Sequence, residues 1–473
     1  MPLQQCRLRG RGNAVQFIAV FFCAMDVLNA GLEYGWTSAA FPVLLNPKDN
    51  QSEALITSQQ GVWIATLSLP GAALGALANV FICDLVGRKP FIIFSTIPYA
   101  IHWILIAISQ TAYVYYIARL ISGFSSGMSL TAVPMYTAEI SIPRLRGRLC
   151  AFTPMCICAG VFLMNFLCLF LTLEVAALLA LVFPLTSFIG LIFMPESPYY
   201  YLMKNKDEKA LQSLQIFQGK EDVDTDFQRM KQAVQKLNET KEKGFKALVT
   251  VKVNRRSLLV VGVLRAAQPL CGITTLVYYS SVILGDNEWI ISVRYCTLLF
   301  AIALMISDVV GLNIVDLLGR RPLILTSIGG ACCGLLTLAI YLHLKDSDVD
   351  LSSCSFIPLV ALVTIVSFYG FGLQQIPFVV QGELFSTAVK SCAIGLGMML
   401  FCLFSFVGSK YFQFMNDKNK PYVTIYTFAF CAASLFTFIL FFMPETKDIS
   451  LEDVQLMMEQ RKLHFKDVDT KNN

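Results

Sequence analysis

The sequence predicts an all-α integral membrane protein with twelve transmembrane helices in two pseudo-symmetric six-helix bundles. Three observations carry this expectation. First, 56% of the 473 residues are hydrophobic and only 15% charged, too apolar for a chain that must cover itself with polar surface in water. Second, the charges are bunched, and between them lie apolar runs near or beyond the ~20 residues a helix needs to cross a bilayer. Third, a set of polar tags occurs twice in the same order, the mark of a duplicated unit. Asp84-Leu-Val-Gly-Arg-Lys-Pro90 returns as Asp316-Leu-Leu-Gly-Arg-Arg-Pro322. Glu139, seven residues before Arg146, returns as Glu383, seven before Lys390. Pro195-Glu-Ser-Pro198 closes the first half, and Pro444-Glu-Thr-Lys447 closes the second.

Taken in order, the apolar runs place spans near 14–40, 60–83, 91–109, 112–138, 149–171 and 175–194, then 257–284, 291–315, 323–343, 356–382, 391–415 and 421–443. The expected division is a first bundle over 1–195, a linker over 196–256, a second bundle over 257–445 and a tail over 446–473. Between the second and third spans, Gly87 makes a tight turn and Pro90 suits the first turn of the next helix; Gly319 and Pro322 repeat the arrangement. In the linker, Leu211 and Leu214, then Met230, Val234 and Leu237, recur at helical spacing, which predicts short amphipathic helices over 204–217 and 225–237. A solvated linker is the competing expectation there. Pro269 with Gly272, and Gly370 and Gly372 with Pro377, loosen the seventh and tenth spans.

An even number of spans puts both termini on one side. That side holds 29 of the 37 Lys and Arg, which makes it cytoplasmic by the positive-inside rule. The excess of +5 therefore reflects topology, and nucleic acid is not an expected partner. The first segment follows Arg7, Arg9 and Arg11 as a signal peptide would, but no small-residue cleavage site follows it, so it reads as a retained span. Asn50-Gln51-Ser52 is a glycosylation sequon in the first outer loop. Neither a cofactor fingerprint nor a metal-ligand cluster is visible, and His102, His343 and His464 lie far apart; an enzyme is not expected.

Together these tags resemble the sugar porter family of major facilitator carriers, as does Gln268-x-x-x-Gly272-Ile-x-x-x-x-Tyr278-Tyr279 in the seventh span. The resemblance covers almost the whole chain. Gly35-Trp36-Thr37-Ser38 and Pro154 are similar to the insect branch of facilitated trehalose transporters. What the resemblance implies is a plasma-membrane carrier of a sugar (trehalose or hexose-like) or related polyol, working as a monomer in the bilayer. The chain also departs from the family pattern. Pro269 replaces a second Gln, Thr274 an Asn, Pro154 a Gln, and Phe378 a Trp; Gln374-Gln375 replaces Gly-Pro, and Tyr199 an Arg. Each lost contact that leaves a buried partner unpaired costs roughly 1–3 kcal/mol, so the departures bear on the substrate and leave the fold expectation intact.

The substrate site is expected near the midplane, where broken helices expose polar groups. Its candidates are Gln268, Thr274, Tyr278, Tyr279, Gln374, Gln375 and Phe378, since amides match sugar hydroxyls and aromatic faces cover the C–H side of a ring. Ordinary helix packing explains the rings about equally well. At the cytoplasmic ends, Asp84, Arg88, Glu139, Arg146 and Glu196 are expected to form a latch, with Asp316, Arg320, Glu383, Lys390 and Glu445 as its copy. Thr37 stands where proton-coupled relatives carry an Asp, which favours facilitated diffusion. Asp26, Glu33 and Asp308, acidic residues within spans, keep a proton symporter as the alternative; a non-transporting sugar sensor is the other. Arg265 and Asp308 sit at equal depth in consecutive spans and are expected to pair.

Overall fold

The computed structural model describes residues 12–45, 56–220, 222–239, 244–285, 293–347, 349, 351, 354–385, 387–443 and 445. Among these, regular structure is helical throughout. The first span is one long helix, Gly12–Leu45. The second starts at Ser58, where Thr57 and Gln60 form a reciprocal capping box, and runs through a π-helical stretch at Asn79–Cys83. The third (Arg88–Ile108), fourth (Ala112–Ile140), fifth (Pro143–Phe170) and sixth (Leu173–Ile192) complete the first bundle.

The second bundle starts with a broken helix, Lys252–Leu270 and Ile273–Gly285. The eighth (Val293–Leu318) and ninth (Arg320–Asp346) spans are continuous. The tenth is interrupted again: Ile357–Phe368, a π-helical stretch at Tyr369–Leu373, then Ile376–Leu384. The eleventh (Thr387–Asn416) and twelfth (Pro421–Phe442) close the bundle.

Eleven helices among the described residues are long and apolar enough to cross a membrane. The fourth span is not one of them, and its sequence explains why. Arg119, Ser122, Ser125, Ser126, Ser129 and Thr131 dilute its apolar content, yet all six are buried. The polar stripe faces protein, and the exposed Tyr113, Ile117 and Leu120 face outward.

Within the first bundle, the first span packs on the fifth and the second on the fourth. The first pair meets backbone to backbone, since a Cβ on Gly31 would lie 2.1 Å from the Ile157 carbonyl oxygen and 2.9 Å from Gly160 Cα. Small residues permit such contact where lipid gives helices no hydrophobic drive to associate. The halves join along two large seams, second span on eleventh and fifth on eighth, and the first span also packs on the second segment of the seventh. The second and fifth positions of one half thus meet the fifth and second of the other.

Four helices fill the stretch between halves: Pro198–Met203, Asp207–Gln218, Asp224–Glu239 and Gly244–Thr250. Two fall where the apolar spacing predicts them. They have a small core of their own from Leu202, Ala210, Leu214, Phe227 and Val234. They also dock on the bundle: Gln16 Nε2 donates to the Phe217 carbonyl (2.8 Å) and Ser213 Oγ to that of Glu196 (2.5 Å). A merely solvated linker is therefore not what forms here.

Candidate functional site

On the cation-rich face, the first-half tags converge. Arg88 Nη2 lies 2.9 Å from Asp84 Oδ1, four residues back across the Gly87 turn, and Arg88 Nε lies 3.2 Å from Glu139. Ser197 Oγ donates to Glu139, and the Tyr200 ring covers the guanidinium at 5.6 Å. Glu196 acts differently from the expected ion pair: both its oxygens accept the Lys89 backbone N–H (3.1 and 3.2 Å), and one also accepts that of Ser197 (2.7 Å). It caps the third span, whose first N–H groups have no partner within the helix. Burial pushes its carboxyl up to about 7.

The second half repeats the cap. Glu445 accepts the backbone N–H of Arg320 (3.0 Å) and of Arg321 (2.9 Å) at the start of the ninth span. Both caps need the preceding glycine. Gly87 has φ +110° and Gly319 +88°, and a Cβ on either would run into the capping carboxylate, at 2.4 Å from Glu196 Oε2 and 2.9 Å from Glu445 Oε2. Lys390 is half-buried near the start of the eleventh span. The side chains of Arg146, Asp316 and Glu383 lie outside the described residues, as does Asn50.

A cavity lies between the halves. The first half lends it Tyr34 and a largely apolar wall of Leu130, Ile157, Cys158 and Val161; the second lends Arg265, Gln268 and Gln374, its charged and amide groups. The two interrupted helices build that polar side. The seventh span breaks at Gly272, whose φ is +82°. The tenth breaks at its π-helical turn, which frees backbone carbonyls from their usual partners, a device common at functional sites. Gln268 reaches across from one break to the other, its Nε2 lying 3.0 Å from the Leu373 carbonyl, 3.4 Å from that of Gln374 and 3.3 Å from Tyr369 Oη.

Of the seven expected substrate contacts, Gln268, Thr274, Tyr278, Gln374 and Phe378 line this cavity. Thr274 Oγ1 is 3.1 Å from Ser405 Oγ, and Tyr278 Oη is 3.4 Å from Ser68 Oγ. Gln374 Nε2 reaches, among the described residues, the Cys158 sulfur at 3.9 Å. Tyr279 and Gln375 are not part of the lining. Tyr279 packs between Phe41 and Phe412, and Gln375 donates to the Asp308 carboxylate (3.0 Å) and carbonyl.

The expected Arg265–Asp308 pair does not form. Equal depth fixes height along the bundle, but not the direction in which each side chain leaves its helix. Asp308 turns to the break in the tenth span. Arg265 turns to its far segment, donating from Nε and Nη2 to Gln381 Oε1 (3.1 and 2.8 Å) and from Nη1 to Gln268 Oε1 (3.3 Å). Its guanidinium carbon lies 3.9 Å from the Phe378 ring centroid. Another cation within a span, Arg119, does find a carboxylate, with Nη1 3.3 Å from Glu33 Oε1. Arg119 also donates to the carbonyls of Ile64 (2.9 Å) and Glu33 (3.1 Å) and to Thr37 Oγ1 (2.8 Å). Arg119 and Gln381 were the residues to find; a lone Arg inside an apolar span is the signal that points to the first.

Two helical bundles around one midplane cavity, with broken helices on its polar side, define a membrane transporter of the major facilitator fold. The chain belongs to the family described as "Sugar (and other) transporter", whose profile matches residues 19–458. Among curated relatives, it is 26% identical to a facilitated trehalose transporter of Aedes aegypti over 94% of this chain and 55% of that protein. It is 25% identical to that of Bombyx mori over 94% of this chain and 86% of the relative. Among solved structures, the proton:xylose symporter XylE bound to 6-bromo-6-deoxy-D-glucose superposes with a TM-score of 0.77 at 18% identity, covering 94% of this chain and 99% of that one. The inward open form of the Escherichia coli xylose transporter gives 0.71 at 17% identity, over 94% and 99%.

Proposed function

We propose that this protein is a facilitative carrier for a sugar or related polyol, binding it in the cavity between the halves and working by alternating access. The observation that carries this reading is the meeting of two interrupted helices, the seventh and tenth, on one side of a cavity that both halves line. Relatives named as facilitated trehalose transporters and the solved xylose transporters support a sugar-like substrate. The position of Thr37 supports facilitated diffusion: its hydroxyl accepts from Arg119, and a threonine hydroxyl does not change its protonation state near neutral pH. The cation-rich face is read as cytoplasmic with both termini on it, in the plasma membrane, and the monomer as the working unit.

In this reading the carboxylate caps and the Arg88–Glu139 pair hold the cytoplasmic ends of the spans together in one state and release them in the other. A second reading, proton-coupled symport, draws on Asp308, whose Oδ2 is buried with no hydrogen-bond partner among the described residues. The deciding experiment is uptake of labelled trehalose, glucose and polyols into proteoliposomes with and without a pH gradient. Saturable uptake that stops at equal concentrations supports the carrier. Accumulation driven by acid outside selects the symporter, and no saturable uptake removes both.

A further inference from the structure

Arg265 is a full positive charge in the cavity wall with no carboxylate beside it among the described residues. It is 2% exposed. Its described partners are two neutral amide oxygens and one aromatic face. A guanidinium has five N–H donors in a fixed fork; these contacts engage one each on Nε, Nη1 and Nη2, so a donor remains on each Nη. The anchoring amides are themselves committed. Gln381 Nε2 donates to the Ala393 carbonyl (3.1 Å), and Gln268 Nε2 to the carbonyls of the tenth-span break. Neither can turn to offer anything more than the oxygen it already gives. The guanidinium is thus held in place by groups that orient it and leave its charge uncompensated.

A buried charge without a counter-charge is costly to keep, and hydroxyls of a neutral sugar would not neutralise it. The rest of the lining offers a sugar few free polar atoms, because Gln268, Thr274 and Tyr278 are already engaged within the protein. An oxyanion would supply both missing elements, a negative charge and two acceptors in the plane of the fork. The geometry points to a substrate that carries one carboxylate: a sugar acid of the uronate or aldonate kind, its carboxylate on Arg265 and its carbon skeleton against Leu130, Ile157 and Val161. A single cation matches a monoanion. The inference rests on the reading of the cavity as a sugar site and narrows that site to the anionic form of its substrate.

Ligand charge can be varied without touching the protein. Binding of D-glucuronate, its neutral isostere D-glucuronamide, D-glucose and trehalose is measured on the purified full chain by ligand-induced thermal shift and by competition for uptake into proteoliposomes. Glucuronate is expected to bind at least tenfold more tightly than glucuronamide. Arg265→Gln should remove that difference, while Arg265→Lys keeps part of it. Glucuronamide equal to or better than glucuronate, or transport of glucose or trehalose that glucuronate does not inhibit, overturns the carboxylate site and leaves the sugar carrier standing. If none of the four binds or competes, the sugar reading falls and the carboxylate site falls with it. Should Arg265→Gln fail to fold, the comparison of acid with amide on the wild-type protein decides alone.

Discussion

Among the described residues, two arginines are buried at membrane depth, one in each half, and their surroundings are opposite. Arg119 in the fourth span has the Glu33 carboxylate at 3.3 Å, two backbone carbonyls and the Thr37 hydroxyl. It is walled in by its own bundle and is absent from the cavity lining. Arg265 in the seventh span has amide oxygens and a ring, and it faces the cavity. The first is a neutralised tie among the first, second and fourth spans. The second is a charge kept available. Duplication has therefore left the two halves with similar frames and different chemistry: one supplies a mostly apolar wall, and the other the polar groups.

The sharpest way to break this contrast is to truncate each arginine. Arg119→Ala leaves the Glu33 charge buried and unpaired, which costs about 3–5 kcal/mol. The expected outcome is loss of folded protein, read as the yield of monodisperse material. Combining Arg119→Met with Glu33→Leu should recover part of it, because removing both charges is far cheaper than removing one. A variant Arg119→Ala with wild-type yield and melting temperature would show that Glu33 and Arg119 are not a structural tie.

The repeated turns should respond more weakly, and alike in the two halves. Gly87→Ala and Gly319→Ala each force a side chain into positive φ against a capping carboxylate, at about 1–3 kcal/mol for the backbone alone. Thermal midpoints should fall by similar amounts in both variants. A drop in only one would mean that the two caps, alike in geometry, do not carry the same load.

Arg265→Gln is expected to change stability by no more than about 1 kcal/mol, since the lost hydrogen bonds are offset by removal of an uncompensated charge. Its effect belongs in ligand binding. A stability loss as large as that of Arg119→Ala would put Arg265 with the structural ties.

A pH dependence is expected at the first-half cap. Burial raises the Glu196 carboxyl from 4.5 to about 7, so the folded state holds this proton more tightly than the unfolded chain does. The stability this shift contributes is fully present below about pH 4.5 and is lost as pH rises through about 7. Relative to Glu196→Gln, the wild-type melting temperature should fall between pH 5 and pH 8. A flat difference would remove the burial argument for this group.

The sequence reveals the frame of this protein and much less of its site. Span count, the broken seventh and tenth spans and the paired tags follow from apolar length, Pro and Gly placement, and repetition, all of which are local. The fourth span is the informative case: it is too polar for a simple hydropathy criterion, and the duplicated order of tags around it still demands a helix there. What the sequence hides is azimuth. Depth along the spans pairs Arg265 with Asp308, whereas the directions of their side chains send them to Gln381 and Gln375. Glu196 reads as an ion-pair partner from its charge and serves instead as an acceptor for backbone N–H groups that no sequence pattern displays, and Glu445 accepts such groups too.

The central claim, that the cavity between the halves carries substrate without a driving ion, is tested most directly by exchange. Proteoliposomes containing the purified chain are preloaded with an unlabelled substrate and given the labelled form outside, with no pH gradient. The account predicts accelerated, saturable entry of label, and no net accumulation when an inward proton gradient is then imposed. Accumulation under that gradient, or entry no faster than into protein-free vesicles for every sugar, sugar acid and polyol offered, would contradict it.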